Sequence, residues 1–292
     1  MAASGLPERP TSAVHPAQCP PVRRAGRNLW AAIAVGLLMG AGILVALFTV
    51  RQVFIGIVAA AVAVSSWELA GALRRVGIRV LLAPVLVGGQ AMVWLAWPYG
   101  QDGILVAFVI TALVCLVWRF PKGAVGYVRD VSASVFSTAY VAGFASFATL
   151  LVVPADGAAR VLCLMLAVVA SDVGGYATGV LGGRHLMAPL ISPKKSWEGF
   201  IGSLVAGTAA GALSVIFLLG GQLWHGVLFG LAVVLTATGG DLVESLIKRD
   251  LGVKDMGAVL PGHGGLMDRI DSLLPSAVVS WLLLSLLVPI GG

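Results

Sequence analysis

The fold class is decided by two segments, GFIGSLVAGTAAGALSVIFLLG at residues 199–220 and WHGVLFGLAVVLTATGGDLVES at residues 224–245. Each is predominantly apolar over about 20 residues, which is the length that an α-helix needs to cross the hydrocarbon core of a bilayer. Three residues separate the segments, so the chain is predicted to cross, turn and cross back. Apolar runs of this length predict helices, because strands are much shorter.

The rest of the chain repeats this pattern from Asn28 onward. Of the 292 residues, 59% are hydrophobic and 11% are charged, whereas soluble domains have about 25% charged residues. The mean hydropathy is +0.98. Strand signals are absent, so we predict an all-α, polytopic membrane bundle without strands. Its nine spans are placed near residues 29–50, 53–72, 79–97, 103–118, 132–152, 159–180, 199–220, 224–245 and 273–290.

The basic residues test the number of spans independently, because Lys and Arg accumulate in the cytoplasmic loops of membrane proteins. With the N-terminus inside, 17 of the 19 Lys and Arg residues fall in inner segments, and only Arg51 and Arg160 fall outside. A wrong number of spans would destroy this alternation, so the pattern supports nine spans and a cytoplasmic N-terminus. Topology therefore explains the net charge of +6, and no nucleic acid is expected as a partner.

The chain is predicted to have three parts. Residues 1–28 are rich in proline and form a disordered cytoplasmic tail. Residues 29–152 form N-terminal membrane helices with short loops and few chemically reactive groups. Residues 153–292 form a catalytic membrane region with two long cytoplasmic loops, at 181–198 and 246–272.

The strongest chemical signal is GGDLVESLIKRDLGVKDMGAVLPGHGGLMDRIDS at residues 239–272. Asp241, Glu244, Ser245 and Lys248 have the spacing i, i+3, i+4 and i+7, so they share one helix face. Carboxylates within a membrane span are unfavourable and usually face a polar cavity or a partner. This face of the helix is therefore predicted to border a polar site.

The remainder of this segment has the composition of a metal–phosphate site. Lys and Arg alternate with Asp from residue 248 to 255, and a glycine-rich turn at 261–265 is followed by Asp268, Arg269 and Asp271. Carboxylate oxygens suit Mg²⁺, basic side chains suit phosphate, and glycine-rich turns offer N–H groups to anions. The alternative is an ordinary charged loop held by salt bridges. The two carboxylates inside the preceding span argue against it.

Two further clusters precede this segment. SDVGGY at residues 171–176 again places a carboxylate, Asp172, beside glycines within a span. SPKKSWEG at residues 192–199 has two lysines between two serines just before a helix, a pattern typical of a phosphate or nucleotide site. A positively charged membrane anchor with an interfacial tryptophan explains the same residues. From these residues alone the anchor is favoured.

The 239–272 segment resembles the signature of the phosphatidate cytidylyltransferases, also called CDP-diacylglycerol synthases. The clusters at 171–176 and 192–199 are also similar to the pattern of that family. The resemblance covers about residues 170–275, and the N-terminal half resembles the family only in being hydrophobic. The signature positions present here are Ser245, Lys248, Arg249, Lys254, Asp255, Gly257, Leu260, Pro261, Gly262, His263, Gly264, Gly265, Asp268, Arg269 and Asp271.

The resemblance implies that CTP and phosphatidic acid react to give CDP-diacylglycerol and pyrophosphate, with Mg²⁺ as cofactor. Asp241 and Asp268 are assigned as the principal metal ligands, since they come from separate elements and could clamp one or two cations between them. Asp172, Glu244 and Asp271 are further ligand candidates. The residues assigned to catalysis itself are Asp241, Asp268, Asp271, Lys248 and Arg249.

The remaining candidates are assigned to substrate binding. They are Ser192, Lys194, Lys195, Ser196, Ser245, Lys254, His263 and Arg269. The basic residues would contact phosphates and the serines would donate hydrogen bonds, whereas His263 would either position a phosphate or pack within its turn. The site is expected at the cytoplasmic face of the plasma membrane, where CTP meets the lipid. Both a monomer and a homodimer fit the sequence.

Two other functions remain open. A CTP-dependent lipid-alcohol kinase would share the membrane, the nucleotide and the metal, but it would transfer the γ-phosphoryl group. The complete signature argues against it. An ion-coupled transporter would also place carboxylates within spans, but its polar residues would gather at mid-membrane in both halves rather than at one face.

Overall fold

The computed structural model describes residues 40–257, residue 259 and residues 264–289, and most of them are helical. The predicted N-terminal tail and the first part of the first span lie outside these residues. In the described part, seven helical segments are long and apolar enough to cross a membrane. The helices are α1 Gly40–Thr49, α2 Arg51–Arg75, α3 Leu82–Trp118, α4 Tyr127–Ser137, α5 Phe144–Val152, α6 Gly157–Gly182, α7 Trp197–Leu219, α8 Leu223–Asp250, α9 Met267–Ile270 and α10 Leu273–Leu287.

Helix α3 makes two membrane passes. Gly100 has non-helical dihedral angles, φ 60° and ψ −138°, and Pro98 lies just before it. A Cβ on Gly88 would overlap the side chain of Thr111. A straight helix would hold residues 23 positions apart at about 35 Å, so the chain folds back between them. The two halves correspond to the spans predicted near 79–97 and 103–118.

This fold-back reconciles the helices with the predicted number of spans. The seven long apolar segments make eight passes once α3 is divided, and α4 and α5 are joined into one span by a π-helical turn at Thr138–Gly143. Helix α1 is the end of the span predicted at 29–50. The polytopic, all-helical membrane class is confirmed.

The two basic residues predicted on the outer side hold the loops of one end of the bundle. Arg51 donates hydrogen bonds to the backbone carbonyls of Val153 (3.1 Å) and Ala155 (2.9 Å) in the loop between α5 and α6. The buried Arg160 donates to two carbonyls at the C-terminus of α10, at 2.9 and 2.6 Å. Arginine satisfies the free carbonyls and the negative end of the dipole there. Loops predicted to share a side therefore do lie together.

Basic residues predicted on the inner side meet in the same way at the other end. The carboxylate of Asp130 is 1% exposed and accepts hydrogen bonds from the backbone N–H of Arg79 and from Nε of Arg119, both at 3.1 Å. These two arginines come from the α2–α3 loop and the end of α3. These loops, which are predicted to share the inner side, therefore also lie together.

Helices α6, α7 and α8 pack closely enough for their backbones to touch. A Cβ on Gly174 of α6 would lie 2.6 Å from the carbonyl oxygen of Gly202 of α7. A Cβ on Gly230 of α8 would lie 2.7 Å from Cα of Thr208 of α7. Small residues allow such approach between membrane helices. The close packing fixes the ends of the three helices relative to one another, and the candidate site lies at those ends.

The prediction that the chain has no strands is wrong at one place. Strands β1 Leu186–Ala188 and β2 Ser192–Ser196 form an antiparallel hairpin within the predicted 181–198 loop. The hairpin is anchored by contacts at its ends: Glu198 Oε1 lies 2.6 Å from Nδ1 of His185, and the N–H of Trp197 donates to the carbonyl of His185 at 2.9 Å. The segment lacks alternating apolar residues, so periodicity gave no strand signal.

Candidate active site

A cavity of about 280 Å³ opens where α6, β2, α7 and α8 meet. Its wall includes Asp172 from α6, Lys194 and Lys195 from β2, Ser196 at the start of α7, and Asp241 from α8. Its volume is just below the range of about 300–1,000 Å³ that is usual for small-ligand sites. The structure therefore brings members of all three predicted clusters into one polar cavity.

The lysine pair lines this cavity together with Asp172 and Asp241. Lys195 Nζ lies 2.6 Å from Oδ2 of Asp241, and it also reaches the carbonyl oxygen of Thr238 at 3.5 Å. Helix α7 begins at Trp197, two residues after Lys195, so the pair lies just before a helix as predicted. Ser196 is its N-cap residue, and its Oγ accepts the N–H of Gly199 at 3.1 Å. The hydroxyl of Ser196 thus caps the helix, and its proton remains able to donate to a ligand.

Three carboxylates converge at the other side of Asp241. Asp241, Glu244 and Asp271 each offer an oxygen atom, and these atoms lie within 4.8 Å of one another. Asp241 and Glu244 are one turn apart on α8, and Asp271 follows α9. A Cβ on Gly240 would lie 2.6 Å from the carbonyl oxygen of Asp271. The glycine therefore allows the third carboxylate to approach the other two.

This carboxylate group fits a divalent cation. Glu244 is fully buried, and within the described part of the chain its Oε1 has no hydrogen-bond partner. A buried carboxylate oxygen without a partner is unfavourable unless a cation or a proton compensates it. Hard divalent cations bind several carboxylate oxygens. Asp241, Glu244 and Asp271 together have the donor atoms and the charge for such an ion.

Asp268 has different surroundings from these three. Its Oδ1 accepts a hydrogen bond from Nζ of Lys248 at 3.0 Å, and Lys248 also pairs with Glu244. Its Oδ2 accepts the backbone N–H groups of Gly265 at 3.0 Å and Met256 at 3.1 Å. Oδ1 is thus engaged with Lys248 of α8, and Oδ2 with the loop between α8 and α9. The structure groups Asp241 with Glu244 and Asp271, whereas the pairing of Asp241 with Asp268 stays a prediction.

Comparison with known proteins shows the family of the chain. The model of the cytidylyltransferase family matches residues 30–287. The chain belongs to this family. It is 53% identical over 280 residues to a phosphatidate cytidylyltransferase of Mycobacterium leprae, and the match covers 90% of each chain.

More distant relatives of the same name show the same likeness. The chain is 51% identical over 277 residues to a phosphatidate cytidylyltransferase of Mycobacterium tuberculosis strain H37Rv, covering 90% of this chain and 84% of the relative. It is 32% identical over 207 residues to that of Staphylococcus aureus strain COL, covering 70% and 75%. The family resemblance drawn from residues 170–275 is confirmed. The family match also includes the N-terminal half, which had shown no specific likeness.

The other residues predicted for this cytidylyltransferase lie around the cavity or beyond it. Nε of Arg249 donates to the carbonyl oxygen of Ile191 at 3.2 Å and so ties α8 to the hairpin. Ser245 is buried on α8, and Lys254 and Arg269 are exposed. Ser192 begins β2 and, like these four, is not among the residues found to line the cavity. His263 lies outside the described residues.

One residue of this cytidylyltransferase was missed by the sequence analysis. Glu68 of α2 is 2% exposed, and its Oε2 accepts the backbone N–H of Met267 at 2.9 Å. The N-terminal half had been predicted to contain few reactive groups. A carboxylate within the apolar span near 53–72 is the same signal that identified Asp241, and it could have found Glu68.

Proposed function

We propose that this chain transfers the cytidylyl group of CTP to phosphatidic acid and forms CDP-diacylglycerol and pyrophosphate. The observation that carries the proposal is the cavity at the ends of membrane helices, where Lys195 pairs with Asp241, one of three converging carboxylates. The relatives named phosphatidate cytidylyltransferase, which match along most of the chain, support the same reaction. A lipid substrate and a soluble nucleotide can both reach such a position.

The residues of the cavity act by positioning two polyanions. An oxygen of the lipid phosphate forms a bond to the α-phosphorus of CTP, the bond between the α-phosphorus and the bridging oxygen breaks, and pyrophosphate leaves. The lipid phosphate is already ionised, so no general base is needed. Lys194 and Lys195 would reduce the repulsion between the phosphates, and the free N–H groups of the first turn of α7 would bind one of them. Alignment for in-line attack supplies much of the rate enhancement.

The carboxylates would hold the metal ion. Asp241, Glu244 and Asp271 would bind Mg²⁺, supported by the convergence of their oxygen atoms and by the buried Oε1 of Glu244. When bound, the ion would neutralise phosphate charge and orient the phosphate oxygens. Asp172 and Asp268 are the nearest further carboxylates to supply ligands if a second cation binds. Lys248 would hold the side chains of Glu244 and Asp268 in place.

The site would face the cytoplasm from the plasma membrane. Support comes from the basic residues: the cavity lies beside Lys194 and Lys195 at the ends of α6 and α8, and the predicted topology assigns 17 of the 19 Lys and Arg residues to the cytoplasmic side. CTP would enter from the cytoplasm, and phosphatidic acid would stay in the inner leaflet. A homodimer stays a prediction, and light scattering of the detergent-solubilised protein measures the mass of the assembly.

The reaction is tested with purified protein in detergent, CTP, phosphatidic acid and the lipid alcohol diacylglycerol, with and without Mg²⁺. We expect CDP-diacylglycerol and pyrophosphate in equal amounts, and neither product with a chelator present. A lipid-alcohol kinase would instead release CDP and a phosphorylated lipid. A transporter would leave CTP unchanged. Either of these outcomes contradicts the proposal.

A further inference from the structure

A carboxylate from the N-terminal half reaches into the loop that joins α8 to α9. Glu68 lies near the inner end of α2, about 200 positions before this loop in the sequence, and its side chain is almost fully buried. Its Oε2 accepts the N–H of Met267, the first residue of α9, at 2.9 Å. In the part of the chain that the structure describes, its Oε1 has no hydrogen-bond partner. Glu68 therefore anchors the point at which the loop becomes helix.

Two glycines of the loop leave the space that this carboxylate occupies. A Cβ on Gly257 would overlap Oε1 and Cδ of Glu68. A Cβ on Gly265 would lie 2.8 Å from Oε2 of Glu68 and 2.8 Å from the backbone nitrogen of Gly257. The carboxylate cannot simply move away, because it is buried and bonded to α9. These two signature positions thus admit only glycine while Glu68 is in place.

The loop is held by carboxylates from two directions. Glu68 contacts its end from α2, and Asp268 of α9 accepts the N–H groups of Met256 and Gly265 in the loop. Asp268 is adjacent to Met267 and is bonded to Lys248. The direction of Asp271, three residues further on, depends on the same start of α9.

We infer that Glu68 is a positioning residue for catalysis: its carboxylate fixes the α8–α9 loop through Met267, Gly257 and Gly265, and so places Asp268 and Asp271. It acts through the loop and touches no reacting group. Its role requires the size of the side chain and one hydrogen-bond acceptor, but not the negative charge. The inference rests on the proposed reaction only for its kinetic measurements.

Two substitutions separate this role from that of a metal ligand. Glu68→Gln keeps the volume and an oxygen that accepts the N–H of Met267, so we expect kcat within about threefold of wild type, a change below 1 kcal/mol. Glu68→Ala removes both, and a misplacement of about 1 Å at the reacting groups would lower kcat roughly 100-fold. KM for CTP should change much less than kcat, because the lysine pair is not displaced. Equal losses in the two variants would overturn the inference.

Hydrogen–deuterium exchange gives a readout that does not need activity. In the full-length protein, peptides covering residues 253–270 should exchange faster in Glu68→Ala than in wild type, and at the wild-type rate in Glu68→Gln. Unchanged exchange in Glu68→Ala would overturn the inference even if the protein catalysed another reaction. Asp130→Asn is the matched control, because Asp130 is also a buried carboxylate that holds loops, but at a different place. It should leave both the exchange of these peptides and kcat unchanged.

The close approach of Gly257 to the carboxylate of Glu68 is tested by combining substitutions at both positions. Gly257→Ala should lower kcat roughly 100-fold through the same displacement. Glu68→Asp draws the carboxylate back by about 1.5 Å, so the double variant should be at least about tenfold faster than Gly257→Ala alone. If the loss of kcat in the double variant equals the product of the losses in the two single variants, the glycine is needed for a reason unrelated to Glu68. That result would overturn the inference. Gly71→Ala on α2, where a Cβ would meet no atom within 4 Å, is the control.

Discussion

Replacing Lys248 with Met should destabilise the protein by removing the cation that is bonded to Glu244, a fully buried carboxylate. Lys248 Nζ pairs with Glu244, which is 0% exposed, and with Asp268 at 3.0 Å. Methionine is of similar length and fits an apolar span, so packing is largely kept. The principal change is that Glu244 loses its counter-ion.

The size of the effect follows from this burial. Removing one partner of a buried ion pair costs about 3–5 kcal/mol, because the remaining charge stays desolvated and uncompensated. With about 2 °C per kcal/mol for a chain of this size, the melting temperature should fall by roughly 6–10 °C. Adding Glu244→Gln removes the unpaired charge, so the double variant should recover at least half of the loss. Lys122→Met, at an exposed lysine, should change the melting temperature by less than about 1 °C.

The assay is thermal unfolding in detergent with a chelator present, so that no divalent cation replaces the ammonium group. A melting temperature of Lys248→Met within about 2 °C of wild type would refute the reasoning, since it would mean that less than about 1 kcal/mol depends on the pair. A double variant less stable than Lys248→Met would refute it as well. In that case Glu244 would be stabilised by something other than Lys248.

Three further predictions concern the cavity and its orientation. Asp241→Asn and Asp271→Asn should each raise the Mg²⁺ concentration needed for half-maximal activity by about 100-fold or more, because a ligating charge is lost. Near-normal activity of either variant at ordinary Mg²⁺ would remove that residue from the metal site. Lys195→Ala should raise KM for CTP or phosphatidic acid about tenfold or more without lowering the melting temperature. Wild-type kinetics of this variant would mean that the lysine pair is only a membrane anchor. A single cysteine at position 190, in the hairpin loop, should react with impermeant reagents only after cells are opened, and labelling of unopened cells would contradict the cytoplasmic placement.

The membrane fold could be predicted closely from the sequence. Spans are encoded in the composition of long segments, and the basic residues fix the alternation of their ends, so even the fold-back at Gly100 was anticipated as two separate spans. The hairpin at 186–196 could not be predicted in the same way. Its strands are three and five residues long and are fixed by contacts of Glu198 and His185, which are tertiary interactions without periodicity.

The residues of the candidate site could be predicted from the sequence, but which carboxylates lie beside Asp241 could not. Asp241 and Glu244 were recognisable because charges are rare within apolar spans. Asp268 and Asp271 are three residues apart, and which of them faces Asp241 depends on where α9 begins. That start is set by Glu68 through the N–H of Met267, a contact between residues 199 positions apart. No local pattern contains this information.

The most direct test of the proposed reaction follows the phosphorus atoms of CTP. The purified protein is given phosphatidic acid, Mg²⁺ and CTP labelled either at the α- or at the γ-phosphorus, and the label in the lipid fraction is measured. Cytidylyl transfer predicts that the α-label enters the lipid and that the γ-label leaves as pyrophosphate. Recovery of the γ-label in the lipid, with the α-label remaining in soluble CDP, would contradict the account.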